Sequence, residues 1–126
     1  MDTLERFIHS VEAHSNLGDI YYNLKHYGEA IKECKHVIRI NSDSAEVYYN
    51  NMGVAYKELM SFNEAIESYK KAIMIDPYFA EPHLGLGVVY VEIGNKDSAL
   101  AELNILEDLD AEKAMELSKL MDKVIN

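Results

Sequence analysis

Five histidines, one cysteine and 22 carboxylates are the side chains of this sequence best suited to chemistry. His9, His14, His26, His36 and His83 show no HExxH spacing, and no CxxC pair accompanies Cys34, so no metal site is expected. His14 and His83 take the large-residue position of a helical stripe, where a ring packs with one nitrogen hydrogen-bonded. Cys34 falls on an interior-facing position and reads as a small hydrophobe. Being alone, it forms no internal disulfide. The run GLGVV from Gly85 lies inside a helical pattern and lacks the lysine of a phosphate loop. No serine sits in a nucleophile elbow, no acid pair is constrained, and the acidic segment 102–112 reads as a solvated face. An enzyme is not expected, nor a cofactor.

The remaining possibility is a binding surface, and composition narrows its partners. With 12 basic against 22 acidic residues, the net charge of −10 disfavours nucleic acid and anionic membrane surfaces. It favours solubility. No apolar run is long enough to span a bilayer. The first ten residues lack the basic start, apolar core and cleavage site of a signal peptide. These features together lead to the expectation of a cytoplasmic protein.

The elements that carry such a surface are read from residues 49–77, YNNMGVAYKELMSFNEAIESYKKAIMIDP. Tyr49, Met52, Gly53 and Tyr56 recur at i, i+3, i+4 and i+7, the signature of one helix face. Gly53 lets a second helix approach closely, and Ala65 and Ala72 present small groups to meet it, with Tyr56 and Tyr69 filling the space beside them. A mid-helix glycine costs about 1 kcal/mol relative to alanine, so it needs a packing reason. It recurs: Gly18, Gly53 and Gly87 are followed by Ala30, Ala65 and Ala99. Repeat one has His14, Leu17, Gly18, Tyr21, Ala30 and Cys34; repeat three has His83, Leu86, Gly87, Tyr90, Ala99 and Leu103. One extra residue lies between Ile40 and Gly53, in either the loop or the helix start.

This pattern resembles the tetratricopeptide repeat family, a helix–turn–helix unit with W-x2-L-G-x2-Y, then A-x3-F, then P. Pro77 holds the last position in repeat two. The resemblance implies an all-α, right-handed superhelical solenoid of antiparallel helix pairs. Its units are one domain over 1–126, with repeats at 11–45, 46–79 and 80–113 and a capping helix at 111–126. Residues 1–10 extend the first helix, which is expected over 3–24 with Thr3 as N-cap. Leu4, Phe7 and Ile8 on that extension need a cover. Either it folds back as a separate cap, or it forms a self-association surface that makes a homodimer, or a partner's helix lies against it. Ser61 with Glu64 has the capping-box form, Gly94-Asn95 marks a hairpin turn, and the second helix of repeat one is expected from Glu29.

A second stripe on each first helix lies roughly 130° from the packing stripe, at about 100° per residue. The resemblance implies that it lines a concave groove where partner peptides bind. It holds Glu12, Ser15, Asp19 and Tyr22, then Val47, Asn50, Val54 and Lys57 with Asn51 beside them, then Glu81, Leu84, Val88 and Val91. One subgroup of the family clamps a chaperone's terminal carboxylate with lysines, arginine and asparagines. The matching positions are Ser15, Asp19, Asn51, Glu81 and Gly85; only Asn51 agrees, and Asp19 and Glu81 repel a carboxylate. The expected ligand is instead an amphipathic helix, apolar with basic flanks, bound by a non-catalytic adaptor. The alternative is a self-associating scaffold that pairs through the first helix or the groove.

Overall fold

The computed structural model describes residues 2–125. Seven helices lie among them: α1 (Thr3–Asn23), α2 (Tyr27–Ile40), α3 (Ala45–Glu58), α4 (Phe62–Ile75), α5 (Ala80–Glu92), α6 (Lys96–Leu109) and α7 (Ala111–Ile125). Each hairpin turn closes in the same way. The amides of His26, Ser61 and Asn95 donate to the carbonyls of Tyr21, Tyr56 and Tyr90 at 2.8, 2.9 and 2.8 Å. This closure places a left-handed residue just before the donor. Lys25 (φ 64), Met60 (φ 59) and Gly94 (φ 80) take that role, and only the glycine does so without steric cost.

Several local expectations change. α2 starts at Tyr27, because the closure completes at His26. Asp2, not Thr3, caps α1, its carboxylate accepting from the Glu5 amide at 2.8 Å. Ser61 is an N-cap whose side chain makes no cap bond, so the capping box does not form. Asn95 does cap, accepting from the Ser98 amide at 3.2 Å. The corners between repeats use a side-chain acceptor at an equivalent position each time. Asn41 and Asp76 accept from the amides of Asp43 and Tyr78, and Asp110 accepts from the Lys113 amide. The extra residue of repeat two lengthens its first helix: α3 has 14 residues against 13 in α5.

A lone hairpin cannot bury both its helices, so the core forms where repeats meet. Ile31 of α2 packs on Met52 and Ala55 of α3; Ala65 and Tyr69 of α4 pack on Leu86 and Val89 of α5. The third cluster joins Val91, Ala99 and Leu106 to Ala114, Leu117 and Met121, so α7 covers both α5 and α6. Lys113 ties this end-helix down, reaching Glu81 at 3.0 Å and Asp110 at 3.2 Å. α1 is different. It runs unbroken through the extension, so no separate cap folds back, and none of its residues is buried.

Small residues at the crossings work differently from the expectation that Gly53 meets alanines. A Cβ on Gly53 would lie 2.6 to 2.9 Å from carbons of the Tyr69 ring, and one on Gly85 would meet the same ring. The Tyr69 ring, 1% exposed, is therefore wedged between the backbones of α3 and α5. Gly87 makes room in the same way for Leu117 of α7.

Candidate partner-binding groove

The first helices of successive repeats bring the second stripe into two adjoining clefts that share Val54. One, of about 270 Å³, lies between α1 and α3 with α2 as its floor. It takes in Ser15, Asp19, Tyr22, Asn51 and Val54 from the expected set. The other, of about 360 Å³, takes in Asn50, Val54, Lys57, Glu81, Leu84 and Val88. Glu12 and Val47 are exposed but line neither cleft. Val91 is a correction: it is 3% exposed and belongs to the core with Leu106 and Leu117. The reason is α7, which crosses the face of α5 that a wheel drawn for α5 alone leaves open.

Other lining residues escaped the sequence reading. His14, Cys34 and Tyr48 belong to the first cleft, and Tyr69, Gly85, Glu116 and Leu120 to the second. Glu116 and Leu120 lie on α7, which thus walls the second cleft. Comparing repeats would have found the inner cleft residues. Cys34 is the counterpart of Tyr69, and Asn51 the counterpart of Gly85. Where repeat two inserts a ring, repeat one has only a thiol, and the space opens as the first cleft.

The charged groups lining the groove are three carboxylates, Asp19, Glu81 and Glu116, and one lysine, Lys57. The Asp19 carboxylate lines the first cleft, and no lysine or arginine does. Burial pushes the Cys34 thiol up to about 11, with Asp19 and then Glu33 adding to the rise. Tyr22 is also raised, by burial and then by Glu58. Tyr69 rises above the ordinary phenol range for the same leading reason, burial. In the second cleft Asn50 buries its Oδ1 with no donor in reach among the described residues. Ser15 and Tyr48 link α1 to α3 by hydroxyl contact at 3.3 Å.

The two packing histidines have partners the spacing did not announce. His14 Nδ1 meets Glu33 at 2.5 Å, and His83 Nδ1 meets Glu102 at 2.7 Å, the same offset in repeats one and three. His83 Nε2 also donates to the Pro77 carbonyl at 3.0 Å. Repeat two has Tyr49 and buried Ser68 at these places. These pairs brace hairpins. Among the described residues no cluster of histidine, cysteine and acids is arranged to hold a metal ion, and no helix is long and apolar enough to cross a membrane.

Family models match two stretches, "Tetratricopeptide repeat" over residues 11–44 and "TPR repeat" over residues 53–94, together more than half of the chain. The chain belongs to the tetratricopeptide repeat family. Its fold is that family's right-handed superhelical solenoid, three helix pairs and an end-helix. Solved structures agree. The TPR domain of Arabidopsis OM64 superposes with a TM-score of 0.82 at 23% identity, covering 93% of this chain and 98% of that one. The TPR2B domain of yeast Sti1, in complex with pHsp70, gives 0.82 at 28% identity, covering 91% and 95%. The TPR2AB domain of yeast Sti1, in complex with pHSP90, gives 0.84 at 27% identity, covering 94% of this chain and 47% of that one. No curated protein is similar enough to count as a match. Domains of this tetratricopeptide repeat class mediate protein–protein interaction.

Proposed function

We propose that the chain is a non-catalytic adaptor, acting as one unit, that binds an amphipathic helical segment of a partner in its concave groove. The observation that carries this reading is the pair of clefts joined at Val54, apolar in their walls and acidic at Asp19, Glu81 and Glu116. A largely apolar trough edged by Asp19, Glu81 and Glu116, with Lys57 among its lining and Glu81 shared with Lys113, suits a helix with apolar anchors and basic flanks. The buried Asn50 Oδ1 offers an acceptor to a donor on that segment. The yeast relatives were solved with pHsp70 and pHSP90. Here Asp19 and Glu81 argue against a ligand led by a carboxylate. A cytoplasmic location is part of the proposal.

Selection from a displayed library of amphipathic helical peptides tests this. Binders should carry lysine or arginine at their flanks, and hydrogen exchange should slow around Asn51, Val54 and Leu84 when they bind. An Asp19→Lys, Glu81→Lys variant should lose them. Binders with acidic flanks, or protection confined to other faces, would overturn the proposal.

One observation favours a second reading, self-association. Leu4 is 66% exposed, and Phe7 and Ile8 beside it are exposed too, on helical turns of α1 that outrun α2. Sedimentation of wild type beside Leu4→Glu, Ile8→Glu decides it. A concentration-dependent dimer lost in the variant supports pairing through α1, and a monomer at all concentrations removes it.

A further inference from the structure

The first cleft has a shape that the second repeat explains. In repeat two the flat Tyr69 ring slides between Gly53 and Gly85, filling the gap between two helix backbones. At the junction of repeats one and two the counterparts are Cys34, Gly18 and Asn51, and all three line the α1–α3 cleft. A Cβ on Gly18 would find only Glu33 Cβ at 3.3 Å and the Ala30 carbonyl at 3.9 Å, so no ring stands against it. The slot that a side chain of the chain itself occupies in repeat two is therefore open to a flat group from outside in repeat one.

The walls decide which flat group fits. Asp19, Ser15, Asn51, Tyr22 and Tyr48 place a carboxylate, a hydroxyl, an amide and two phenols around the cleft. No lysine or arginine lines it, and no cation pairs with Asp19 among the described residues. A neutral ring would leave the Asp19 carboxylate without a cation. A guanidinium is planar, stacks on tyrosine, and carries five N–H donors in a fixed fork. An ammonium carries charge but is neither flat nor forked.

We propose that the α1–α3 cleft is a socket for an arginine side chain of the bound partner segment. The inference rests on the groove reading and names the anchor at its first end. Asp19 meets the guanidinium at the mouth, Tyr22 and Tyr48 flank it, and the thiol of Cys34 forms the uncharged floor.

The test uses small probes, so that it does not depend on finding the partner. Nitrogen-15 shifts of the full chain are followed during titration with N-acetyl-arginine methylamide, then with the lysine, norleucine and tyrosine analogues. Shifts should be confined to Ser15, Gly18, Asp19, Tyr22 and Asn51 with arginine, and weaker with the others. Asp19→Asn should weaken arginine about fivefold, the effect of losing one exposed charge pair. Cys34→Tyr with Asn51→Gly copies repeat two into repeat one, and should keep the fold while abolishing the shifts. Equal shifts with norleucine, tyrosine or lysine would overturn the guanidinium assignment, as would unchanged arginine binding in the filled variant. A library peptide that protects Val54, Leu84 and Val88 with no arginine response at the first cleft sinks this inference and leaves the groove reading standing. Failure of both the probes and the library removes the two together.

Discussion

Replacing Gly85 with alanine is the sharpest test of the wedge between repeats two and three. In an open helix, alanine for glycine gains about 1 kcal/mol from propensity. Here the added Cβ would lie 2.5 Å from Tyr69 Cε1 and 2.9 Å from Cε2, where ordinary contacts begin near 3.4 Å. The ring is 1% exposed and also packs against Gly53, so moving it off the new Cβ disturbs a second close contact. Overpacking of this kind costs roughly 1–3 kcal/mol, and an overlap with three ring atoms puts it in the upper part of that range, about 2–3 kcal/mol. The net expectation is a loss of about 1–2 kcal/mol, against a gain for Gly28→Ala, whose Cβ would meet nothing within 4 Å. Urea unfolding followed by circular dichroism measures both. A Tyr69→Leu background removes the ring, so Gly85→Ala should become neutral or favourable there. A single Gly85→Ala variant as stable as wild type would refute the wedge, and so would equal costs in both backgrounds.

Other consequences are simpler to measure. His83→Ala should destabilise the fold by about 3 kcal/mol, because it leaves Glu102 largely buried without its partner. His14→Ala should cost clearly less, because Glu33 is as buried as Glu102 but the 32% exposed ring lets water replace it at the freed carboxylate; equal losses in thermal melts would contradict the burial argument. Met60→Gly should gain about 0.5–1 kcal/mol by relieving a left-handed residue in an exposed turn, and a lower melting temperature would count against that strain. Cys34 should alkylate about a hundredfold more slowly in the folded chain than in urea near pH 8, as its thiol stands at about 11 against 9.0. Since folding raises this group, the stability it contributes is present below pH 9 and is lost as pH climbs through 11. Rapid labelling of the folded chain would show the thiol to be open to solvent.

The architecture was legible because each repeat spells the same constraints in local terms. Gly18, Gly53 and Gly87 recur in register with Tyr21, Tyr56 and Tyr90, and periodicity of that kind survives without any knowledge of contacts. What stayed hidden depends on neighbours. Val91 has the spacing of a groove residue, yet α7 lies over it, and no single-helix wheel reports which faces another helix covers. Ser61 and Glu64 have a capping-box sequence, but the turn already satisfies the Ser61 amide through the Tyr56 carbonyl. The acid partners of His14 and His83 lie across the hairpin at an offset that no local pattern encodes. Comparing repeats position by position would have recovered those pairs, and with them the exchange of Tyr69 for Cys34.

The unburied first helix gives the two halves of the groove unequal thermodynamics. α3, α5 and α7 are locked by Tyr69 and Leu117, so a ligand there meets walls already in place. α1 buries no residue fully, and such elements open at a small fraction of the global unfolding free energy. A ligand reaching the α1–α3 cleft must therefore settle a helix as well as fill a space, and part of its interaction energy is spent on order. The groove's first end thus trades affinity for adaptability, and its third end does the reverse.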